Sequence, residues 1–185
     1  MDAIENLLSR NSPRELTTPI PSKEDMSEIY QAALRAPDHA WLRPSRFIQV
    51  TGKGLDKLSE VYANFAAKHL NDVTPLQLEK YKSAPYRAPM VIVLVTKVAE
   101  HPKVPEIEQI LSTATAAQNI LLALHAKNYA GIWRTGKLAF NQKMLESFNL
   151  SPDHRIIGYL YVGTPTGTMK TIPSLDLESF VTYWD

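Results

Sequence analysis

The run Met90-Val91-Ile92-Val93-Leu94-Val95-Thr96 decides the fold. It is apolar without a break through Val95 and mostly β-branched, so it reads as a central strand covered on both faces. Residues 105–128 follow as the longest helix, and the middle of it, Leu111 to Leu124, is rich in Ala, Leu and Ile with few charges around its circumference. Such a helix is expected to be buried, and a chain of 185 residues buries few of them alone, so a second subunit is expected against it. Ala130 to Arg134 reads as a further strand, which makes the centre of the chain strand, long helix, strand. Working outward, residues 2–9 form a short helix with Ile4, Leu7 and Leu8 on one face. Ser22 opens a second helix, with Asp25 at capping-box spacing, that stops before Pro37. Phe47 to Thr51 is a strand; residues 54–70 are helical with Leu55, Leu58, Val61, Tyr62 and Phe65 on one side; a short helix covers 75–82. Asn141 caps a helix reaching about Phe148, and Ile156 to Gly163 is the last clear strand. The tail from Thr171 is irregular yet carries Leu175, Leu177, Phe180, Val181, Tyr183 and Trp184, residues that disordered tails lack, so it is expected to dock on a second subunit. The whole predicts one α+β domain over residues 1–185.

Composition narrows the function. Net charge is +1 with a pI near 7.9, which disfavours broad electrostatic contact with nucleic acid. Cysteine is absent, excluding disulfides, thiolate metal sites and a thiol nucleophile. The N-terminus lacks the pattern of a secretory signal and no apolar run has the length of a membrane span, so a cytoplasmic protein without membrane contact is expected. The five histidines show no metal-ligand spacing, and GxGxxG, GxxxxGK[ST] and GxSxG motifs are missing. No metal is expected.

Arginine placement is the strongest sign of chemistry. Five of the eight arginines lie between residues 10 and 46. Arg10-Asn11-Ser12-Pro13-Arg14 follows one apolar helical stretch, and Arg35-Ala36-Pro37-Asp38-His39 follows another. A near-neutral chain gains little by crowding guanidinium groups at helix ends unless an anion sits between them, and a planar fork of donors suits phosphate oxygens. Each segment also has a plain structural reading: a solvated turn with Ser12 as a cap for the first, a cation at a helix C-terminus for the second. Trp133-Arg134-Thr135-Gly136 closes a strand, a common ligand position in layered sheets, or else an edge turn. Trp41, Arg43 and Arg46 line a pocket mouth or are packing and solvated charge.

Taken together, these segments resemble one family, the FMN-dependent nitroreductases. Arg10 to Arg14 is similar to its RRS-x-R flavin-phosphate motif. Arg35 to His39 with Arg43-Pro44-Ser45-Arg46-Phe47 resembles its AP-S-x-x-N-x-QPW-x-F loop. Ala117-Gln118-Asn119-Ile120-Leu121-Leu122-Ala123 matches its AAQNLLLAA helix, and Gly131 to Gly136 and Ile157 to Pro165 match its late strands. Order and spacing hold over nearly the whole chain, within a short, minimal branch. The resemblance implies a nitroreductase-like fold, a central mixed β-sheet flanked by helices, in an intertwined homodimer with two FMN sites at the interface. Arg10, Asn11, Ser12, Trp133, Arg134 and Thr135 would contact the flavin of their own site, and Arg35 and His39 would reach it from the other subunit. Ala123, Leu124, His125, Ala126, Lys127 and Asn128 would border NAD(P)H; the same residues also read as packed helix. No side chain is implied as a strict catalytic acid. The implied activity is transfer of two electrons from NAD(P)H through FMN to a nitroaromatic or quinone-like acceptor in ping-pong order; a flavin-binding scaffold without turnover is the alternative.

Two departures stand out. The Gln and Trp of the usual Gln-Pro-Trp are Arg43 and Ser45 here, which makes the pocket more cationic. The Lys-x-Arg pair that many members carry after the last strand is reduced to Lys170.

Overall fold

The structure is a computed structural model that describes residues 1–168 and 171–184. Its elements in chain order are α1 (Ala3–Ser9), β1 (Leu16–Thr17), α2 (Lys23–Ala33), β2 (Ser45–Thr51), α3 (Lys53–His69), α4 (Pro75–Ser83), β3 (Met90–Lys97), α5 (Glu106–Ala126), β4 (Ala130–Arg134), α6 (Met144–Ser147) and β5 (His154–Pro165), joined by short 3₁₀ turns. The run that opened the analysis is β3, and every residue from Met90 to Thr96 is buried.

β5 is the hub of the sheet. One of its edges pairs with β3, which pairs in turn with β2. Its other edge pairs with β4 from Tyr159 to Gly163 and then with β1 at Thr164 and Pro165. Side chains alternate across the strands, so the sheet has two apolar faces. On one, Val91, Val93, Val95, Tyr159 and Tyr161 meet Leu58, Tyr62 and Phe65 of α3. On the other, Met90, Ile92, Leu94 and Leu160 meet Met26 and Ile29 of α2 and Ala117, Ile120 and Leu124 of α5. Both faces of β3 are covered for that reason, and its apolar run needs no alternation.

The α+β class holds, with one correction to the expected mixed sheet: every strand pair among the described residues is antiparallel. The physical reason is the position of β5. β3 and β4, the two ends of the strand–helix–strand unit, run in the same direction, but β5 returns between them, so parallel strands are never neighbours.

Local signals place the helix starts. Ser22 accepts a hydrogen bond from the Asp25 amide at 3.0 Å, half of a capping box; the Asp25 carboxylate turns instead to Lys127 of the α5 C-terminus at 2.8 Å. Thr74 and Gln77 complete both halves of a box at α4. The helix expected from Asn141 is shortened to α6, because the Asn141 side chain takes the Lys143 amide and Asn149, at φ 53°, ends it. Within the single chain the tail is exposed: Trp184 retains 95% of its surface, and Leu177, Phe180 and Tyr183 are also open. Among the described residues no helix is long and apolar enough to cross a membrane.

Candidate functional site

The described surface has a cavity of about 400 Å³ between α4, the segment after it and the end of β4, bordered by Tyr62, Lys80, Arg87, Arg134, Thr135, Lys137, Tyr159 and Tyr161 among others. Arg134 is one of the residues that line it. β4 alternates, so Ile132 and Arg134 point to the α3 face and Trp133 to the α5 face. The guanidinium lies 5.6 Å from the Tyr161 ring, and its Nε is buried without a hydrogen-bond partner among the described residues. Burial lowers the Arg134 pKa, and the nearby Arg87 and Arg14 lower it further, against the opposing effect of Tyr161. Arg87 and Arg134 border one cavity, and neither they nor Arg14 forms an ion pair among the described residues. An unpaired, desolvated cation is expensive to keep; a bound anion would offset that penalty.

Arg14, whose charge is felt at Arg134, closes the loop after α1. There Arg10 Nη1 donates to Ser12 Oγ at 3.0 Å, Ser12 N donates to Asn11 Oδ1 at 2.8 Å, and Pro13 is buried. The loop is held against the C-terminal end of α5 by α1: Asn6 donates to the Leu122 carbonyl at 3.2 Å, and Ser9 Oγ lies 2.9 Å from His125 Nε2.

Trp133 has a second occupation. Its Nε1 donates to the Ile157 carbonyl at 3.3 Å. Gly158 permits this approach: at φ +149° it lies in a bulge of β5, and a Cβ there would come within 2.0 Å of the same nitrogen. Thr135 is exposed at the cavity rim.

His39 and Arg35 lie elsewhere. His39 Nδ1 is 2.6 Å from Glu108 Oε2 at the start of α5, whereas Ser9, next to Arg10, touches His125 near its end. Seventeen residues of helix separate those contacts, about 25 Å at 1.5 Å per residue. Arg35 is exposed. The loop carrying His39 is strained, with Ala40, Trp41 and Arg43 all at positive φ near 55°, a conformation that costs roughly 1–2 kcal/mol per non-glycine residue. Asp38 Oδ2 accepts from the Arg43 amide at 2.8 Å, and Arg46 Nη1 donates to the Arg43 carbonyl at 2.6 Å.

Residues 123–128 are occupied with packing. Leu124 is buried. Lys127 bridges Asp25 and Glu28 of α2 at 2.8 and 2.6 Å. Its pKa is raised, first by the hydrogen bond to Asp25. Asn128 sits at φ 62° where α5 ends. Lys170 lies outside the described residues.

Sequence reading missed Arg87, Tyr62, Tyr159 and Tyr161 as site residues. Arg87 follows a helix 47 positions before Arg134, with nothing local to pair them. The buried tyrosines were legible only as core.

Comparison with known proteins gives the class, an oxidoreductase. The model of the Nitroreductase family matches residues 7–164, and the chain belongs to that family. It is 36% identical over 187 aligned residues, covering 100% of both chains, to the Escherichia coli K12 protein named "Putative NAD(P)H nitroreductase YdjA". Among solved structures it superimposes on a nitroreductase-like family protein from Bacillus cereus with a TM-score of 0.86 at 20% identity, covering 100% of this chain and 96% of that one. It also superimposes on a nitroreductase with bound FMN from Bacteroides fragilis with a TM-score of 0.77 at 18% identity, covering 100% of both.

Proposed function

We propose that this chain is an FMN-dependent oxidoreductase that passes two electrons from NAD(P)H to an electron-poor acceptor, nitroaromatic or quinone-like, in ping-pong order. The observation that carries this reading is the buried Nε of Arg134, without a hydrogen-bond partner among the described residues, in a cavity that Arg87 also borders. Family membership makes a flavin the expected anion. The residues fit that group. Arg10 and Ser12 converge as phosphate donors beside α1. Arg14, Arg87 and Arg134 supply positive charge at the end of β4, and Thr135 adds a hydroxyl at the rim. FMN would supply hydride acceptance and electron delivery. The chain's part is to bind, orient and stabilise the negative charge of the reduced state with those guanidinium groups.

The same geometry supports a homodimer. His39 and the loop 10–14 occupy opposite ends of α5, so they serve one small ligand together most simply when a second copy brings its own His39 across. Surfaces for that contact exist. Ile107 and Leu111 on α5, Ile4, Leu7 and Leu8 on α1, and the aromatic tail are exposed. We assign the chain as one cytoplasmic domain over residues 1–185, with residues 123–128, of which Ala126 and Asn128 are exposed, beside the nicotinamide donor.

The test is an absorbance spectrum of the purified protein before and after anaerobic NADPH or NADH. A flavin spectrum that bleaches supports the reading and names the donor. Bound flavin that neither donor bleaches leaves a binding scaffold. The Arg10→Ala variant should lose FMN occupancy; normal occupancy would remove the phosphate role of the loop.

A further inference from the structure

α1 is a helix of seven residues, and none of them is buried. A helix that short is marginal by itself, and its apolar side chains Ile4, Leu7 and Leu8 are exposed in the single chain. Two side-chain hydrogen bonds tie it to α5. Asn6 Nδ2 donates to the Leu122 carbonyl at 3.2 Å, and Ser9 Oγ lies 2.9 Å from His125 Nε2. The second bond has a direction. A hydroxyl has one proton, and Ser9 Oγ gives it to the Glu5 carbonyl at 2.6 Å, so His125 Nε2–H donates and Ser9 accepts. Asn6 and Ser9 are three residues apart, and so are Leu122 and His125, which is close to one turn on each helix. Two bonds a turn apart fix both the position of α1 along α5 and its rotation about its own axis.

That tie ends on the loop carrying Arg10 and Ser12. The Asn6 carbonyl accepts the Arg10 amide at 3.2 Å, and Ser9 directly precedes Arg10. Arg10 Nη1 holds Ser12 Oγ at 3.0 Å. For stability alone Asn6 is a poor choice: its Oδ1 is buried without a hydrogen-bond partner among the described residues, and an unsatisfied buried oxygen costs more than an apolar atom in its place. What the amide adds is a directional bond to α5. We propose that Asn6 and His125 are positioning residues for the phosphate donors Arg10 and Ser12, acting through α1 and touching no ligand themselves. This rests on the proposed function, in which Arg10 and Ser12 take the flavin phosphate. It gives His125 a use within that site, since its Nε2 is committed to Ser9.

The test is titration of the flavin-free protein with FMN and with riboflavin, which lacks the phosphate, followed by flavin fluorescence. The wild type should favour FMN. Asn6→Leu and His125→Phe should each lower that preference about tenfold, the equivalent of one hydrogen bond to a misplaced phosphate, with riboflavin affinity unchanged. His125→Gln, whose side-chain amide offers an N–H where Nε2–H stood, should restore most of it. A merely structural role would weaken both flavins alike, without rescue by Gln, and that result overturns the proposal. An FMN preference left intact in Asn6→Leu and His125→Phe overturns it too. If calorimetry shows that one of these two variants does not fold, the other decides. A wild type that binds both flavins equally takes the phosphate away from the loop; this inference then fails while a flavin oxidoreductase stands. A wild type that binds neither flavin sinks the proposed function and this inference with it.

Discussion

Arg134 shows how one residue separates binding from stability. Its guanidinium is partly desolvated, feels the positive charge of Arg87 and Arg14, and has a buried nitrogen without a partner among the described residues. Such a group weakens the ligand-free fold and strengthens the loaded one. We expect Arg134→Gln to weaken FMN binding by about tenfold to a hundredfold, the span of a lost charge-assisted hydrogen bond. The thermal midpoint of the flavin-free protein should stay level or rise. Fluorescence titration and calorimetry measure the two effects, and a fall in both would make Arg134 a structural residue. The sequence placed Arg134 at a strand end beside a turn. It was silent on Arg87, because its approach is made by the sheet and the segment after α4.

At the scale of elements, α2 is tied to the end of α5 by Asp25 and Lys127. The Asp25 pKa is lowered in the folded chain, first by its hydrogen bond to Lys127. The unfolded chain therefore binds the proton more readily, and stability rises with pH through the carboxylate range. The contribution is complete above the ordinary aspartate pKa and is lost as pH falls through the lowered one. Asp25→Asn should reduce the thermal midpoint at neutral pH and flatten its dependence between about pH 5 and pH 2. An unaltered acid profile would show that the pair contributes nothing. The helix start at Ser22 was legible because a cap is a local bond. The partner of Asp25 was not, since it stands 102 residues away.

For the whole molecule, the exposed residues complete the picture. α5 buries one side within its own chain, through Thr113, Ala117, Ile120 and Leu124, and leaves Ile107 and Leu111 open. The tail leaves Phe180 and Trp184 open as well. In the proposed homodimer a second copy covers them. Removing residues 171–185, or replacing Leu111 with Asp, should shift sedimentation toward monomer and lower FMN affinity together, because each site would lose the partner's His39 loop. A monomer that binds flavin normally would show that one chain builds the site alone.

The sequence by itself determined the periods and the punctuation: the buried run of β3, the apolar stripe of α3, the cap at Ser22 and the motif order that identifies the family. These are set by side-chain spacing and short-range hydrogen bonds, which act along the chain. Only the tertiary structure decided that β5 returns between β3 and β4, that Arg134 and Trp133 leave their strand on opposite faces, and that Arg87 and Arg134 border one cavity. Those outcomes depend on strand pairing between distant segments, where residue type fixes which face is apolar but not which edge it joins.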